Sequence, residues 1–162
     1  MSDISSIDLL FPNNQPVPVN LQHECNHALK ELKNHAKFCP LIKDASHTNK
    51  APYAIRLSIE SRLLISNIVD KCNNTLPITA VSLSPYWSLL KDYKIIIDNY
   101  NIMRAKLTMP SKIEAIDMAR RGIHNDGAAL LMERLAEKII LDHPTARRFF
   151  TLLFILCNGM VR

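Results

Sequence analysis

Residues 53–60 alternate apolar and polar side chains, and this period of two is typical of a β-strand with one buried face. The apolar segment 63–69 follows after only two residues, so the pair predicts an antiparallel hairpin. Residues 78–83 predict a third strand, and residues 138–141 are short enough for a fourth strand that returns to the same sheet. The pattern therefore predicts one small antiparallel sheet.

Helical spacing of apolar positions dominates the rest of the chain. A first helix is predicted over residues 21–38, where Asn20 can cap the start and Pro40 ends the helix. A second helix is predicted over residues 85–106, with Ser84 placed as its cap because a serine hydroxyl can accept from a free amide of the first turn.

The chain between residues 110 and 135 predicts two helices. Ser111 and Glu114 have the spacing of a capping box, and Gly122 can end the helix that starts there in left-handed geometry. Asn125 or Asp126 can then cap the next helix. A turn is therefore expected between Gly122 and Asn125.

The most apolar segment is a final helix over residues 145–157, which Asp142 can cap. Strands in the first half and helices in the second predict an α+β domain with helices packed on one face of the sheet. Three prolines interrupt the first twenty residues. We therefore expect an extended N-terminal arm over residues 1–20, and a single α+β domain over residues 21–162.

The charge balance bears on the kind of partner. The 20 Lys and Arg residues outnumber 15 acidic residues, and the net charge of +5 favours an anionic partner. Four dispersed cysteines, with no signal-peptide pattern before them, predict a reduced, cytoplasmic protein. The longest uncharged apolar run, residues 149–157, is shorter than the about 20 residues that cross a bilayer, so no membrane partner is expected.

The densest functional chemistry lies in the predicted turn. Arg120, Arg121, His124 and Asn125 bring two guanidinium groups, an imidazole and a helix start within six residues. This combination is typical of an anion site, and His124 is expected to gain charge near pH 6.5 and tighten binding in mild acid. The structural alternative is that Arg120 or Arg121 pairs with Asp117, Glu133 or Asp142 and that His124 caps a helix end. Arg134 and the pair Arg147-Arg148 could extend the basic surface.

A zinc motif is also present on the first predicted helix. His23-Glu24-Cys25-Asn26-His27 matches H-E-x-x-H, in which two imidazoles share one helix face. The match is short, and no glycine-containing extension supplies a third ligand, so we expect neither a metal site nor a zinc protease. No P-loop or dinucleotide-binding motif occurs, and no cofactor is expected.

The chain resembles an uncharacterised alphaproteobacterial protein family with no assigned activity. The resemblance covers most of the chain from His23 onward and rests on these segments: His23-Glu24, residues 57–60, residues 83–85, residues 91–93, residues 113–118, Arg120-Arg121-Gly122, His124-Asn125, Gly127, residues 133–135 and residues 145–148. It implies a bacterial cytoplasmic protein and supplies no catalytic or binding residues.

Three functions from different classes follow. The first is a non-catalytic binding or regulatory domain whose anion is a phosphate-bearing metabolite, a nucleic acid or an acidic protein surface. The second is a small enzyme acting on a phosphorylated or carboxylated substrate, with His124 as acid or base and with Asp117 or Glu114 as its partner. The third is a homodimer formed through the C-terminal apolar helix. The sequence favours the first.

Overall fold

The computed structural model describes residues 1–41, 50–106 and 109–160. Most of the polar segment before the hairpin therefore lies outside the described residues. The strands are β1 (Ile4–Leu10), β2 (Phe38–Pro40), β3 (Tyr53–Glu60), β4 (Leu63–Val69), β5 (Thr79–Ser82) and β6 (Ile139–Leu141). The helices are α1 (Gln22–His35), α2 (Trp87–Ala105), α3 (Pro110–Leu135) and α4 (His143–Cys157). The predicted α+β class is confirmed.

The main sheet has four strands in the order β1-β3-β4-β5. β3 and β4 form the predicted antiparallel hairpin, and β5 adds antiparallel to β4. Ser61 and Arg62 link the hairpin with φ angles of 50° and 61°. A two-residue hairpin turn with positive φ at both positions matches the right-handed twist of its strands, so these two residues set the hairpin register.

The N-terminal segment contributes a strand to this sheet. β1 pairs in parallel with β3, and the Ile4 side chain is buried in the core. The sequence predicted an extended arm here because of its prolines, but all three follow Leu10 and so leave the strand amides free to pair. A parallel pair needs a long crossover, which α1 and β2 provide.

A second, two-stranded sheet changes the ends of two predicted elements. β2 pairs antiparallel with β6, so β6 does not return to the main sheet as predicted. α1 also ends at His35, earlier than predicted. The reason is that the amides of Lys37 and Phe38 donate to the Thr145 hydroxyl and the Asp3 carboxylate, which draws the chain into an extended conformation.

Predicted helix caps are right at one helix and wrong at three. Asp142 Oδ1 accepts a hydrogen bond from the Thr145 amide at 3.0 Å and caps α4. Asn20, Ser84 and Ser111 do not cap α1, α2 or α3, which begin with no side-chain cap bond. α1 and α2 each follow directly on a short 3₁₀ turn, whose backbone bonds satisfy amides that a side chain would otherwise cap.

The predicted turn between Gly122 and Asn125 is wrong, because α3 is one continuous helix of 26 residues. Gly122 has no positive φ and lies inside the helix. Further along, Gly127 packs against the Phe150 ring of α4, where a Cβ atom would overlap the ring. α3 therefore runs through both glycines and packs closely on α4 at the second one.

α4 is the centre of the core. Its residues from Phe149 to Cys157 are all buried, as expected for the apolar C-terminal helix. Contacts with α1, α3 and β3 cover this helix within one chain. The homodimer hypothesis relied on an apolar face of this helix, and that face is already occupied by the chain's own core.

Alanine substitutions at the two glycines of α3 test whether this helix is continuous. Gly122→Ala should raise the free energy of unfolding by about 0.5–1 kcal/mol, because nothing lies within 4 Å of the added Cβ and alanine favours a helix interior. Gly127→Ala should lower it, because the new Cβ meets the Phe150 ring. Chemical denaturation measures both. Destabilisation by Gly122→Ala would instead indicate the left-handed turn that the sequence predicted.

Candidate functional site

A polar cleft of about 350 Å³ opens where the four helices meet. We call it the arginine cleft, because five arginines line it. Its lining residues are His23, Glu24 and His27 from α1; Tyr93, Tyr100 and Arg104 from α2; Arg120, Arg121 and His124 from α3; and Arg147, Arg148 and Thr151 from α4.

Three helices supply their lining residues with the same spacing. On α1, α3 and α4, the lining positions are i, i+1 and i+4, beginning at His23, Arg120 and Arg147 respectively. Positions i and i+4 lie one turn apart on the same face of a helix, so each triplet forms one continuous stripe toward the cleft. The helix period therefore explains how residues more than one hundred positions apart converge on one site.

Arg120 lies at the centre of an ion-pair network. Its guanidinium donates to Asp117 Oδ1 at 2.8 Å and, more weakly, to Glu24 Oε1 at 3.4 Å. The guanidinium also stacks over the Tyr100 ring at 5.7 Å, within the range of a cation–π contact. Burial opposes its charge, but the oxygens of Tyr93, Glu24 and Asp117 outweigh burial and raise the pKa of Arg120.

The other arginines are less fully compensated. Arg121 pairs with Asp117 at 3.0 Å. Within the described ranges, Arg104, Arg147 and Arg148 have no carboxylate within 4.0 Å. Burial, followed by repulsion from Arg148, Arg121 and Arg120, lowers the pKa of Arg147. Positive charge in this cleft therefore exceeds the negative charge that the described residues place there.

His124 is a packed residue and not a titrating cation. The residue is 8% exposed, its ring stacks on Tyr93 with centroids 4.9 Å apart, and its Nε2 shares a hydrogen bond with the Tyr93 hydroxyl at 2.9 Å. Burial, with repulsion from Arg147, Arg120 and Arg148, lowers its pKa to about 3. The expectation that His124 gains charge near pH 6.5 is therefore wrong.

Asn125 and the predicted helix start take no part in the cleft. Asn125 is exposed, lies outside the cleft lining and sits inside α3, where backbone amides are already bonded along the helix. The structure thus brings together Arg120, Arg121 and His124 but not Asn125. Arg120 and Arg121 both form ion pairs with Asp117, as the structural alternative expected.

Glu24 is the carboxylate that lines this cationic cleft. Burial raises its pKa, although Arg120, the Tyr93 hydroxyl and His23 act in the opposite direction. Its Oε2 atom is buried without a hydrogen-bond partner in the described part of the chain, and Arg147 Nε is in the same state. Buried polar atoms without partners are uncommon in folded proteins, so two beside one cleft are notable.

The H-E-x-x-H residues His23, Glu24 and His27 face this cleft. Among the described residues, no three His, Cys, Asp or Glu side chains are grouped so that they could hold a metal ion. The four cysteines are free, two of them buried and two exposed. The two histidines place their rings in the wall of the cleft.

A family model described as an uncharacterised protein family (UPF0262) matches residues 2–158. The chain belongs to this family. A UPF0262 protein of Ruegeria sp. (strain TM1040) is 37% identical over 98% of this chain and 99% of its own length. Relatives in Agrobacterium fabrum (37% identical, 85% of this chain and 83% of the relative) and Rhodospirillum rubrum (43% identical, 66% of each) have the same family name. No solved structure is significantly similar.

The family name confirms the resemblance inferred from the sequence, and its description assigns no activity. Across the described residues, no helix combines the length and the hydrophobicity that a membrane-spanning segment needs. The geometry of the arginine cleft is therefore the main guide to function.

Several cleft residues were not predicted from the sequence. Arg147 and Arg148 were expected only as an extension of a basic surface, and Tyr93, Tyr100 and Arg104 gave no signal. The repeated i, i+1, i+4 spacing of polar residues on three helices could have indicated a shared site. It could not have shown which helices are neighbours.

The neutral state of His124 predicts how stability depends on pH. Between about pH 6.5 and pH 3 the unfolded chain binds a proton at this residue and the folded chain does not, so the free energy of unfolding falls as pH falls. His124→Gln removes this titration. From pH 7 to pH 5, wild type should lose about 1–2 kcal/mol more than the variant in urea denaturation. An equal loss in the two proteins would contradict a buried, neutral His124.

Proposed function

We propose that the protein is a binding domain that holds a small anionic ligand in the arginine cleft. The observation that supports this most strongly is the charge of the lining, in which five arginines face one glutamate. With Asp117 counted as a second carboxylate, the excess is three positive charges. Guanidinium groups bind phosphate and carboxylate in a bidentate manner, so an oxyanion is the ligand that this charge favours.

The shape of the site favours a small molecule over a macromolecule. A volume of about 350 Å³ lies at the lower end of the range for small-molecule pockets, which is about 300–1,000 Å³. An open basic surface would suit a nucleic acid better, and the chain has few aromatic residues for base stacking. A phosphate-bearing metabolite is therefore preferred to a nucleic acid or an acidic protein surface.

Catalysis by His124 is less well supported. The enzyme hypothesis needs a titrating imidazole beside Asp117 or Glu114. Among the described residues, His124 instead bonds to Tyr93 and contacts Thr151 at 3.4 Å, and Asp117 is engaged with the two arginines. The binding function requires no titrating histidine.

Arginine-to-lysine variants test the proposed site. Arg147→Lys and Arg148→Lys keep the charge but lose the planar fork, so each should weaken pyrophosphate binding by about tenfold, the loss of about one charge-assisted hydrogen bond. Isothermal titration calorimetry measures the affinity. Arg56→Lys is the matched control, because Arg56 is exposed on β3 and outside the cleft.

A short single-stranded RNA, titrated at two salt concentrations, separates the alternative ligands. Tight RNA binding that falls steeply with salt would indicate that the ligand is a nucleic acid and not a metabolite. Pyrophosphate affinity that is unchanged in both cleft variants, or absent in wild type, would contradict the proposed function.

A further inference from the structure

The two sides of the arginine cleft differ in chemistry. α3 and α4 supply Arg120, Arg121, Arg147 and Arg148, which can only donate hydrogen bonds. α1 supplies Glu24 between two exposed histidines, and an ionised carboxylate can only accept. A ligand in the cleft can therefore meet arginine donors from α3 and α4 and a carboxylate acceptor from α1.

Glu24 makes the longer of the two carboxylate contacts of Arg120. The Arg120 guanidinium has its shorter bond to Asp117, at 2.8 Å, and its contact with Glu24 is 3.4 Å long. Glu24 Oε2 has no hydrogen-bond partner within the described residues. The last torsion of a glutamate side chain is broad, so a rotation of the carboxyl group can turn either oxygen toward the cleft.

The volume of the cleft exceeds what an isolated phosphate needs. About 350 Å³ corresponds to roughly a dozen water molecules at about 30 Å³ each. A phosphate group against the arginines leaves room for several more atoms toward α1. Those atoms meet a carboxylate that repels further negative charge and favours a hydrogen-bond donor.

We propose that the ligand is a hydroxylated phosphate ester, with its phosphate bound by the arginines of α3 and α4 and a hydroxyl group donating to Glu24. This inference rests on the proposed function, because it names the chemical class of the same ligand. Glu24 is then the residue that selects among phosphate esters. The arginines recognise the phosphate group that all of these esters share.

A matched pair of ligands isolates the contribution of the hydroxyl groups. Glycerol 3-phosphate and propyl phosphate have the same three-carbon chain and the same phosphate, and differ in two hydroxyl groups. Wild type should bind glycerol 3-phosphate at least about tenfold more tightly, because a hydrogen bond to a charged acceptor is lost with propyl phosphate. Calorimetry of the intact chain gives both affinities.

Glu24 variants complete a double-mutant cycle between the side chain and the ligand hydroxyls. Glu24→Met should abolish the preference and bind propyl phosphate more tightly than wild type does, because a repelling charge is gone. Glu24→Gln retains an acceptor oxygen and should keep part of the preference. Glu60→Met, an exposed site at the end of β3, should behave as wild type.

The outcomes separate this inference from the proposed function. Equal binding of the two esters by wild type, or a preference that survives in Glu24→Met, would overturn the role of Glu24 while both esters still bind. A purely structural role of Glu24 would change both affinities by the same factor. Binding of neither ester by wild type would overturn the proposed function together with the inference.

Discussion

The contact between Gly127 and the Phe150 ring is the constraint on which the site depends. Because Gly127 has no Cβ, the helices α3 and α4 approach closely at this point. About two turns before Gly127, α3 presents Arg120 and Arg121, and just before Phe150, α4 presents Arg147 and Arg148. Close packing of the two helices therefore fixes four guanidinium groups around one cleft.

Gathering these charges has an energetic cost that the chain only partly offsets. Asp117 pairs with Arg120 and Arg121, and the guanidinium groups of Arg104 and Arg120 each lie 5.7 Å from the centre of the Tyr100 ring. Arg147 remains subject to repulsion from Arg148, Arg121 and Arg120, which together with burial lowers its pKa. A bound oxyanion would remove that repulsion, so the same feature that destabilises the free protein favours ligand binding.

Local sequence signals predicted β3 to β6 and the helices α1, α2 and α4, but not β1, β2 or the continuous α3. The β3–β4 hairpin followed from strict alternation, and the α4 cap followed from Asp142 two residues before Pro144. The break at Gly122 was wrong because a glycine in a helical pattern resembles a helix end, whereas glycine costs only about 1 kcal/mol relative to alanine inside a helix and α3 continues through it. The same error placed Asn125 in the site and made His124 appear accessible to solvent.

The composition of the site depended on which helices are neighbours, and a single sequence does not contain that information. Arg120 and Arg121 were identified correctly as a pair, while Glu24 was considered only as part of a zinc motif. The partners of His124 come from α2 and α4, so its burial could not be inferred from residues nearby in the chain. Helix packing thus places Arg120, Arg121 and His124, which the sequence assigned to a surface turn, in a cleft between helices.

We infer that the unneutralised arginines make the folded protein bind anions, and the free energy of unfolding in phosphate measures this binding. Urea denaturation of wild type would be compared in phosphate and in chloride at equal ionic strength. Wild type should gain stability that grows with phosphate, about 1.4 kcal/mol at ten times the dissociation constant, and the gain should disappear when Arg147 and Arg148 are both replaced by methionine. Equal stability of wild type in the two salts would contradict it.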